Sequence, residues 1–470
     1  MEKKNFEFTG VSALLAFALL IAGIKLMIIA SYGNITPYWD QWDFEADRLF
    51  RPFMEGTLNG KDLFTTHNEH RILTGRLLAL LLFVMNGELW NPLAEMVVNV
   101  FLHTIALLLV VYGIGKAFIG QTTSVAFALF AAILFSIPLG WENILTNNSP
   151  LYFVMLFSFV FLLALSSVDR GSFLWWVVIV ISALFSYLSF ASGVLTIATG
   201  IVFLAVQWFT GIRRDKISEA LMVALLLLFV VALYFTPTID AHANFKSKNF
   251  FDFVLAMLRV TGGFLLYIPS ALFMLKQLRQ PPVLRDPSWF LFSLSLWVFS
   301  QIIILCYGRS HGVLASRYFD MYAIGFAVNF ASLLVLRKEG LSRLSNKAMQ
   351  VWLVLVFLGI GFFFPGVTGR LERRRDEGHQ QEENVRAYLI TKNVAFLQDK
   401  ATESIPYPDP ERLKILLDNR TIQSFLPHAL FEDGRSENVI SPQFIAYIFL
   451  IGSLCAGAGA GLFFILLFRQ

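Results

Sequence analysis

The sequence predicts an all-helical integral membrane protein of about twelve transmembrane helices, and three observations carry that prediction. Hydrophobic residues make up 56% of the 470 and charged residues only 15%, with a mean hydropathy of +0.64, a balance too apolar for a soluble globular chain. Apolar runs of roughly 18 to 25 residues recur along most of the length, each long enough to cross about 30 Å of hydrocarbon. Lysine and arginine cluster in the short loops between these runs, so the net charge of +4 reads as orientation signals and not as a nucleic-acid surface. Cys306 and Cys455 both lie inside apolar runs, which excludes a disulfide framework and a cysteine metal site.

The first run, 8–32, follows Lys3 and Lys4, which hold the N-terminus in the cytoplasm. It is too long for a signal-peptide core, and no clear small-residue cleavage site follows, so it reads as a retained span. Residues 33–70 form a long polar loop. The apolar piece 72–85 carries Arg76 and is short, which suits an interfacial or re-entrant helix better than a span. Further spans are expected near 93–115, 122–140, 150–168, 172–189, 192–210, 219–237, 253–275, 288–307, 318–336, 348–366 and 442–468. With 72–85 not crossing, the basic clusters of the short loops (Lys116; Arg170; Arg213, Arg214, Lys216; Lys276, Arg279, Arg285; Arg337, Lys338, Arg343, Lys347) and Arg469 all fall in the cytoplasm. With 72–85 crossing, most of them would fall outside. The tightest place is 172–210, where only Ser189-Phe190-Ala191-Ser192-Gly193 separates two spans.

The expected organisation is therefore a transmembrane catalytic module, 1–366, with an outer loop at 33–92, a small outer domain at 367–441, and a final span at 442–470. The polar 367–441 segment carries many basic residues, but segments beyond about 60 residues translocate largely regardless of charge. Within it, 370–398 reads as a charged helix, Ile405-Pro-Tyr-Pro-Asp-Pro breaks it, and 411–417 and 421–426 are short amphipathic pieces.

Three polar islands fall on the outer side. Tyr38-Trp39-Asp40-Gln41-Trp42-Asp43-Phe44-Glu45 follows span 1 directly. Sugar transfer to a hydroxyl needs a carboxylate to take the acceptor's proton, and Asp40 or Asp43 fits that task. Tyr38, Trp39 and Trp42 suit either a sugar face or an interfacial anchor. His67-Asn68-Glu69-His70-Arg71 suits hydrogen bonding to sugar hydroxyls or a lipid phosphate, a helix-capping cluster, or, less well given its spacing, a metal. Tyr307-Gly308-Arg309-Ser310-His311-Gly312 through Ser316-Arg317-Tyr318 places Arg309 and Arg317 outside, against the orientation bias, where their planar forks suit phosphate oxygens. Glu142, within Trp141-Glu142-Asn143, and Asp240-Ala241-His242 are smaller islands. The short cytoplasmic loops leave no room for a nucleotide-binding domain, and no GxxxxGK[ST] loop occurs.

These islands and their order resemble the polytopic GT-C-type glycosyltransferases that use polyprenyl-phosphate sugars, above all the bacterial and phage-type enzymes that modify O-antigen. An acidic outer loop (Asp40, Asp43) follows span 1, an interfacial helix precedes span 2, and an Arg-bearing outer loop (Arg309 to Tyr318) comes late in the chain. The resemblance implies Asp40 as general base and acceptor- or sugar-binding roles for Asp43, Glu45, Trp42, His67, Asn68, Glu69, His70 and Glu142. It implies donor-phosphate binding by Arg71, Arg309, His311, Arg317 and Tyr318. It further implies an inverting transfer of one sugar, glucose or another hexose, to a lipid-linked or surface glycan on the periplasmic face of the bacterial inner membrane. A donor synthase and a flippase would be its companions. No metal is assigned, although some such enzymes need a divalent cation, and here the acids are Asp40 and Asp43 and not an adjacent pair. The alternatives are an O-antigen polymerase or ligase, and a flippase or transporter for lipid-linked glycans. A transporter predicts ionisable residues near mid-membrane and broken helices, and the spans read as containing few central charges.

Overall fold

A computed structural model describes residues 2–118, 121–167, 173–237, 239–338, 342–398, 400–431 and 442–468. Arg170, Arg469 and residues 432–441 of the expected outer domain lie outside the described residues, as do the side chains of Lys338, Arg343 and Asp240. Apart from one hairpin, β1 (Thr66–His67) against β2 (His70–Arg71), the regular structure is helical among the described residues.

Among the described residues ten helices are long and apolar enough to cross a membrane, and the chain is an integral membrane protein. Their path follows from contacts at their ends. The helix α1 (Glu2–Tyr32) rises to the polar loop. Beyond α2 (Leu73–Met85), α3 (Pro92–Gly115) descends and α4 (Gln121–Ser136) returns. The helix α5 (Ser149–Ser167) descends and α6 (Phe173–Ser189) returns, where Thr74 Oγ1 donates to Ser189 Oγ at 2.9 Å. At 17 residues α6 is a short apolar helix, and its C-terminal end lies near the start of α5, where a Cβ on Gly75 would stand 2.8 Å from Pro150. The turn into α7 (Val194–Phe209) is closed tightly enough that a Cβ on Gly193 would stand 2.0 Å from the Ser186 carbonyl oxygen. Only glycine fits there.

The helix α8 (Lys216–Tyr234) returns to the same face, where Phe235 O accepts from Arg71 Nη2 at 3.0 Å. The next span is broken: α9 (Phe250–Thr261) and α10 (Ile268–Arg279) meet at a 61° bend. Gly262 and Gly263 have φ of +57° and +65° there, a conformation that ends one helix and starts another. Ser247 N donates to Tyr307 O at 2.7 Å, at one end of α11 (Ser288–Gly308), while Trp289 Nε1 donates to Val283 O at 3.2 Å at the other. The bent pair therefore runs from one end of α11 to the other. The path is completed by α12 (Phe319–Lys338), α13 (Ser342–Thr391) and α14 (Pro442–Phe468); counting the bent pair as one span, the described residues hold up to eleven helices suited to cross, with α6 a shorter apolar helix beside them. Both described ends lie on the face opposite the polar islands. The first and last spans run antiparallel with their backbones in contact: a Cβ on Gly23 would stand 2.4 Å from Ala456 N, and one on Gly459 2.5 Å from Leu20 N. Such small-residue seams replace the hydrophobic effect, which gives no drive between helices inside lipid.

Two expectations change. The charged helix expected at 370–398 is not separate from span 348–366: α13 is one helix of 50 residues that continues through Pro365, with 395–398 left as a separate turn. At 1.5 Å per residue it reaches far beyond the hydrocarbon. Nor is the 367–441 segment a domain apart from the 33–92 loop. Trp42, Leu49, Phe50, Phe83 and Trp90 share one core with Val385, Tyr388, Leu413, Leu417 and Phe425. Trp90 N donates to Phe425 O at 2.8 Å, and Trp39 N to Pro406 O at 2.7 Å. Both flanks of α2 thus belong to this cap, which makes α2 a helix that enters and leaves on one side, as its length predicts.

Candidate functional site

The three carboxylates after α1 have three different environments. The π-helix Trp42–Phe50, a form enriched at functional sites, starts two residues after Asp40 and sets the difference. Asp40 lies just before it with a side chain 61% exposed, and His67 Nε2 stands 3.4 Å from its Oδ2. That nitrogen is buried and makes no hydrogen bond. Burial would raise the Asp40 carboxyl, but the contact with His67 and the charges of His67, Arg317 and His70 outweigh it and hold it below its ordinary value.

Asp43 is committed elsewhere. Tyr407 Oη donates to its Oδ2 at 2.5 Å, and Arg412 Nη2 donates to its Oδ1 at 3.1 Å and to Asp47 Oδ2 at 2.6 Å. It pins the cap to the loop through both of its oxygens. Glu45 is fully buried, accepting from Trp90 Nε1 at 2.9 Å, from Gln41 Nε2 at 3.3 Å and from Asn147 Nδ2. The same Gln41 amide donates to Glu95 Oε2 at 3.3 Å. Burial pushes the Glu45 carboxyl up to about 7, against the hydrogen bonds from Asn147, Trp90 and Gln41. Trp42 is also fully buried, donating from Nε1 to Pro37 O at 2.9 Å with its ring edge-on to Trp90. Asp43, Glu45 and Trp42, the residues expected to bind acceptor or sugar, are thus all engaged within the protein: Asp43 with Arg412 and Tyr407, and Glu45 and Trp42 by full burial.

The hairpin brings the second island into two clusters. His67 faces Asp40, with Phe44 against its ring. His70 stacks on Phe190 at 3.7 Å and accepts from Ala191 N at 3.4 Å, and burial pushes its imidazole down to about 4, only partly opposed by Glu69. Asn68 is exposed in the turn at φ +50°. The Glu69 carboxylate meets Arg309 Nη2 at 2.9 Å and His242 Nδ1 at 2.7 Å. Arg71 does not face a phosphate site: its Nε, Nη1 and Nη2 donate to Tyr187 Oη, Phe64 O and Phe235 O. Arg71, expected to bind the donor phosphate, anchors the hairpin through these three bonds. Among the described residues no group of three His, Cys, Asp or Glu converges as metal ligands would.

From the third island, Arg317 is 54% exposed, stands 3.6 Å from Glu142 Oε1 and lies over the Tyr318 ring at 5.6 Å. Ser316 Oγ donates to Glu142 Oε2 at 2.9 Å. His311 is exposed. Asp40, His67, Glu142 and Arg317 therefore share one polar centre, and His70 connects it to the Glu69–His242–Arg309 cluster. Arg374, from the middle of α13, lies 3.9 Å from the Tyr38 ring at the edge of that centre.

Several residues of this region escape sequence reasoning. Glu95, Asn99 and His103 recur every four residues along one buried face of α3. Lys25 Nζ lies 2.5 Å from His103 Nδ1, Tyr152 stacks on His103 at 4.3 Å, and Asn143 Nδ2 donates to buried Asp320 Oδ2 at 2.8 Å. Of the few ionisable residues of the spans, Lys25 and His103 are buried within their helices, and Asp320 is buried in the first turn of α12. The fourfold spacing on α3 and a lone lysine inside the first apolar run were the available signals. Finally, an apolar cavity of about 280 Å³ opens beside the third island. Its wall includes Leu314, Phe319, Phe326, Phe363 and Gly262 of the bend, with Arg259 among the lining residues.

No protein-family model matches this chain, and no curated protein matches it.

Proposed function

We propose that the chain is a membrane glycosyltransferase that moves a single hexose from a polyprenyl phosphate to a lipid-linked or surface glycan. The site would face the periplasm of the bacterial inner membrane, with both termini in the cytoplasm, as the basic short loops require. The observation that carries this reading is Asp40, the one carboxylate of its loop that is exposed, ionised and flanked by His67 and Arg317. In an inverting displacement the Asp40 carboxylate takes the proton of the acceptor hydroxyl while that oxygen attacks the anomeric carbon. The bond from that carbon to the phosphate oxygen breaks, and the polyprenyl phosphate leaves with the electron pair. Arg317, charged and exposed, neutralises the leaving phosphate, and the apolar cavity beside it receives the first isoprene units. Glu142 and His67 flank Arg317 and Asp40 and would meet the sugar hydroxyls.

A second reading, a carrier for lipid-linked glycans, is favoured by two observations. The bent α9–α10 span and the buried Lys25–His103 pair are features of transport pathways. Proteoliposomes supplied with a panel of polyprenyl-phosphate hexoses and a glycan acceptor separate the two. A transferase forms glycosylated acceptor and free polyprenyl phosphate. Movement of labelled lipid across the bilayer with no new glycosidic bond would replace it with the carrier.

A further inference from the structure

Beside the Asp40 centre, two donors close on one carboxylate that belongs to a different element. Arg309 stands at the end of α11, and His242 in the turn Asp240–Phe245. Arg309 Nη2 and His242 Nδ1 lie 3.5 Å apart, and the Phe245 ring backs both, 5.0 Å from the guanidinium and 5.8 Å from the imidazole. Into this cradle the β1–β2 turn extends Glu69, whose Oε1 accepts from Arg309 at 2.9 Å and whose Oε2 lies 2.7 Å from His242. His70 Nε2 lies 3.8 Å from the same Oε1. The Arg309, His242 and Glu69 side chains are each 25% exposed, so solvent and ligands reach them.

A guanidinium fork and an imidazole on a rigid aromatic backing make a site for a planar or tetrahedral oxyanion. The present occupant is a side chain on a turn of two residues, the first of which, Asn68, is exposed and has a positive φ. The hairpin stem is held separately by Arg71, so the turn can withdraw without unfolding its base. A carboxylate presents the same pair of oxygens to an arginine as one edge of a phosphate does. We propose that Arg309 and His242 form the site at which the phosphate ester of the lipid ligand docks ahead of its place beside Arg317, and that Glu69 is its internal occupant, displaced when that phosphate arrives. This rests on the reading of a phosphate-linked lipid as ligand, but it does not require that sugar be transferred.

The sign of one substitution separates this from a merely positioning role. Binding of polyprenyl phosphate is measured with the full-length protein in nanodiscs of neutral lipid, in parallel with inorganic phosphate. Glu69→Gln, which removes the competing charge, binds polyprenyl phosphate at least about tenfold more tightly than wild type, a gain of about 1.4 kcal/mol. Arg309→Ala binds it at least about tenfold less tightly. Should Glu69→Gln fold poorly, Glu69→Asp draws the carboxylate back by one methylene and gives a gain of the same sign. Unchanged or weaker binding in a folded Glu69 variant overturns the proposal and leaves Glu69 as the residue that orients Arg309. A gain confined to inorganic phosphate overturns the lipid assignment. Repeating the titration in Asp40→Asn keeps the outcomes distinct. A gain there without any transfer by the wild type would preserve the oxyanion site and reject the transferase. Transfer without the gain would do the reverse.

Discussion

Asp40, Asp43 and Glu45 lie within six residues of one another, and their environments assign them different work. Asp40 is exposed and held ionised; as a base it acts deprotonated, and its lowered pKa puts the loss of the base below the ordinary aspartate value of about 3.9. The pH profile of kcat/KM should therefore show no acid limb from Asp40 between pH 5 and 7, and an Asp40-dependent limb in that range would contradict the assignment. Asp43 joins the cap to the loop through Arg412 and Tyr407. Asp43→Asn is expected to lower stability by about 1–2 kcal/mol while turnover stays within about tenfold of wild type. A collapse of turnover with stability intact would make Asp43 the base instead. Glu45 has its carboxyl raised by burial, so the folded state binds the proton more strongly than the unfolded chain. Its stabilising contribution is complete below the unfolded value of about 4.3 and is lost as the pH rises through about 7. Thermal melts should show the cap weakening over that interval, and Glu45→Gln should flatten the dependence; an unchanged slope would count against the assignment. The acidity of the stretch is legible in the sequence. The sorting is not, because Arg412, Tyr407, Trp90 and Asn147 come from elements that only tertiary structure brings to it.

At the scale of elements, the apolar runs and their breaks locate the helices well, because length and composition alone decide whether a helix suits hydrocarbon. The short α2 and the close α6–α7 pair follow from the same argument. The junction at 366–370 does not: the change in polarity marks where α13 leaves the apolar zone, not where the helix ends. Breaking of the α9–α10 span is likewise hidden, since Gly262 and Gly263 are tolerated in many spans and only their positive φ reveals the bend. Gly193 offers a direct test of the α6–α7 turn. A side chain there collides with the Ser186 carbonyl, so Gly193→Leu is expected to cost more than about 3 kcal/mol and to lower the yield of folded protein. Wild-type thermal stability in that variant would mean that the two helices are not joined as described.

At the scale of the molecule, the contacts between helix ends put the loop after α1, the hairpin, the turn at Arg309 and the cap on one face. The positive-inside count predicts the same parity from the basic loops alone. Impermeant thiol reagents should accordingly reach single cysteines at Gly60, Glu88 and Lys392 from one side and at Gln280 only from the other. Opposite labelling of Glu88 and Gly60 would show that α2 crosses. The shared core of loop and cap is what the sequence conceals, since more than 290 residues separate Trp90 from Val385. That core holds the π-helix whose start presents Asp40. The most direct test of the account is therefore sugar transfer from a polyprenyl-phosphate hexose by purified wild type and by Asp40→Asn with matched thermal stability. The account predicts turnover by the wild type and a loss of roughly 10²- to 10⁴-fold in the variant; equal rates for the two would contradict it.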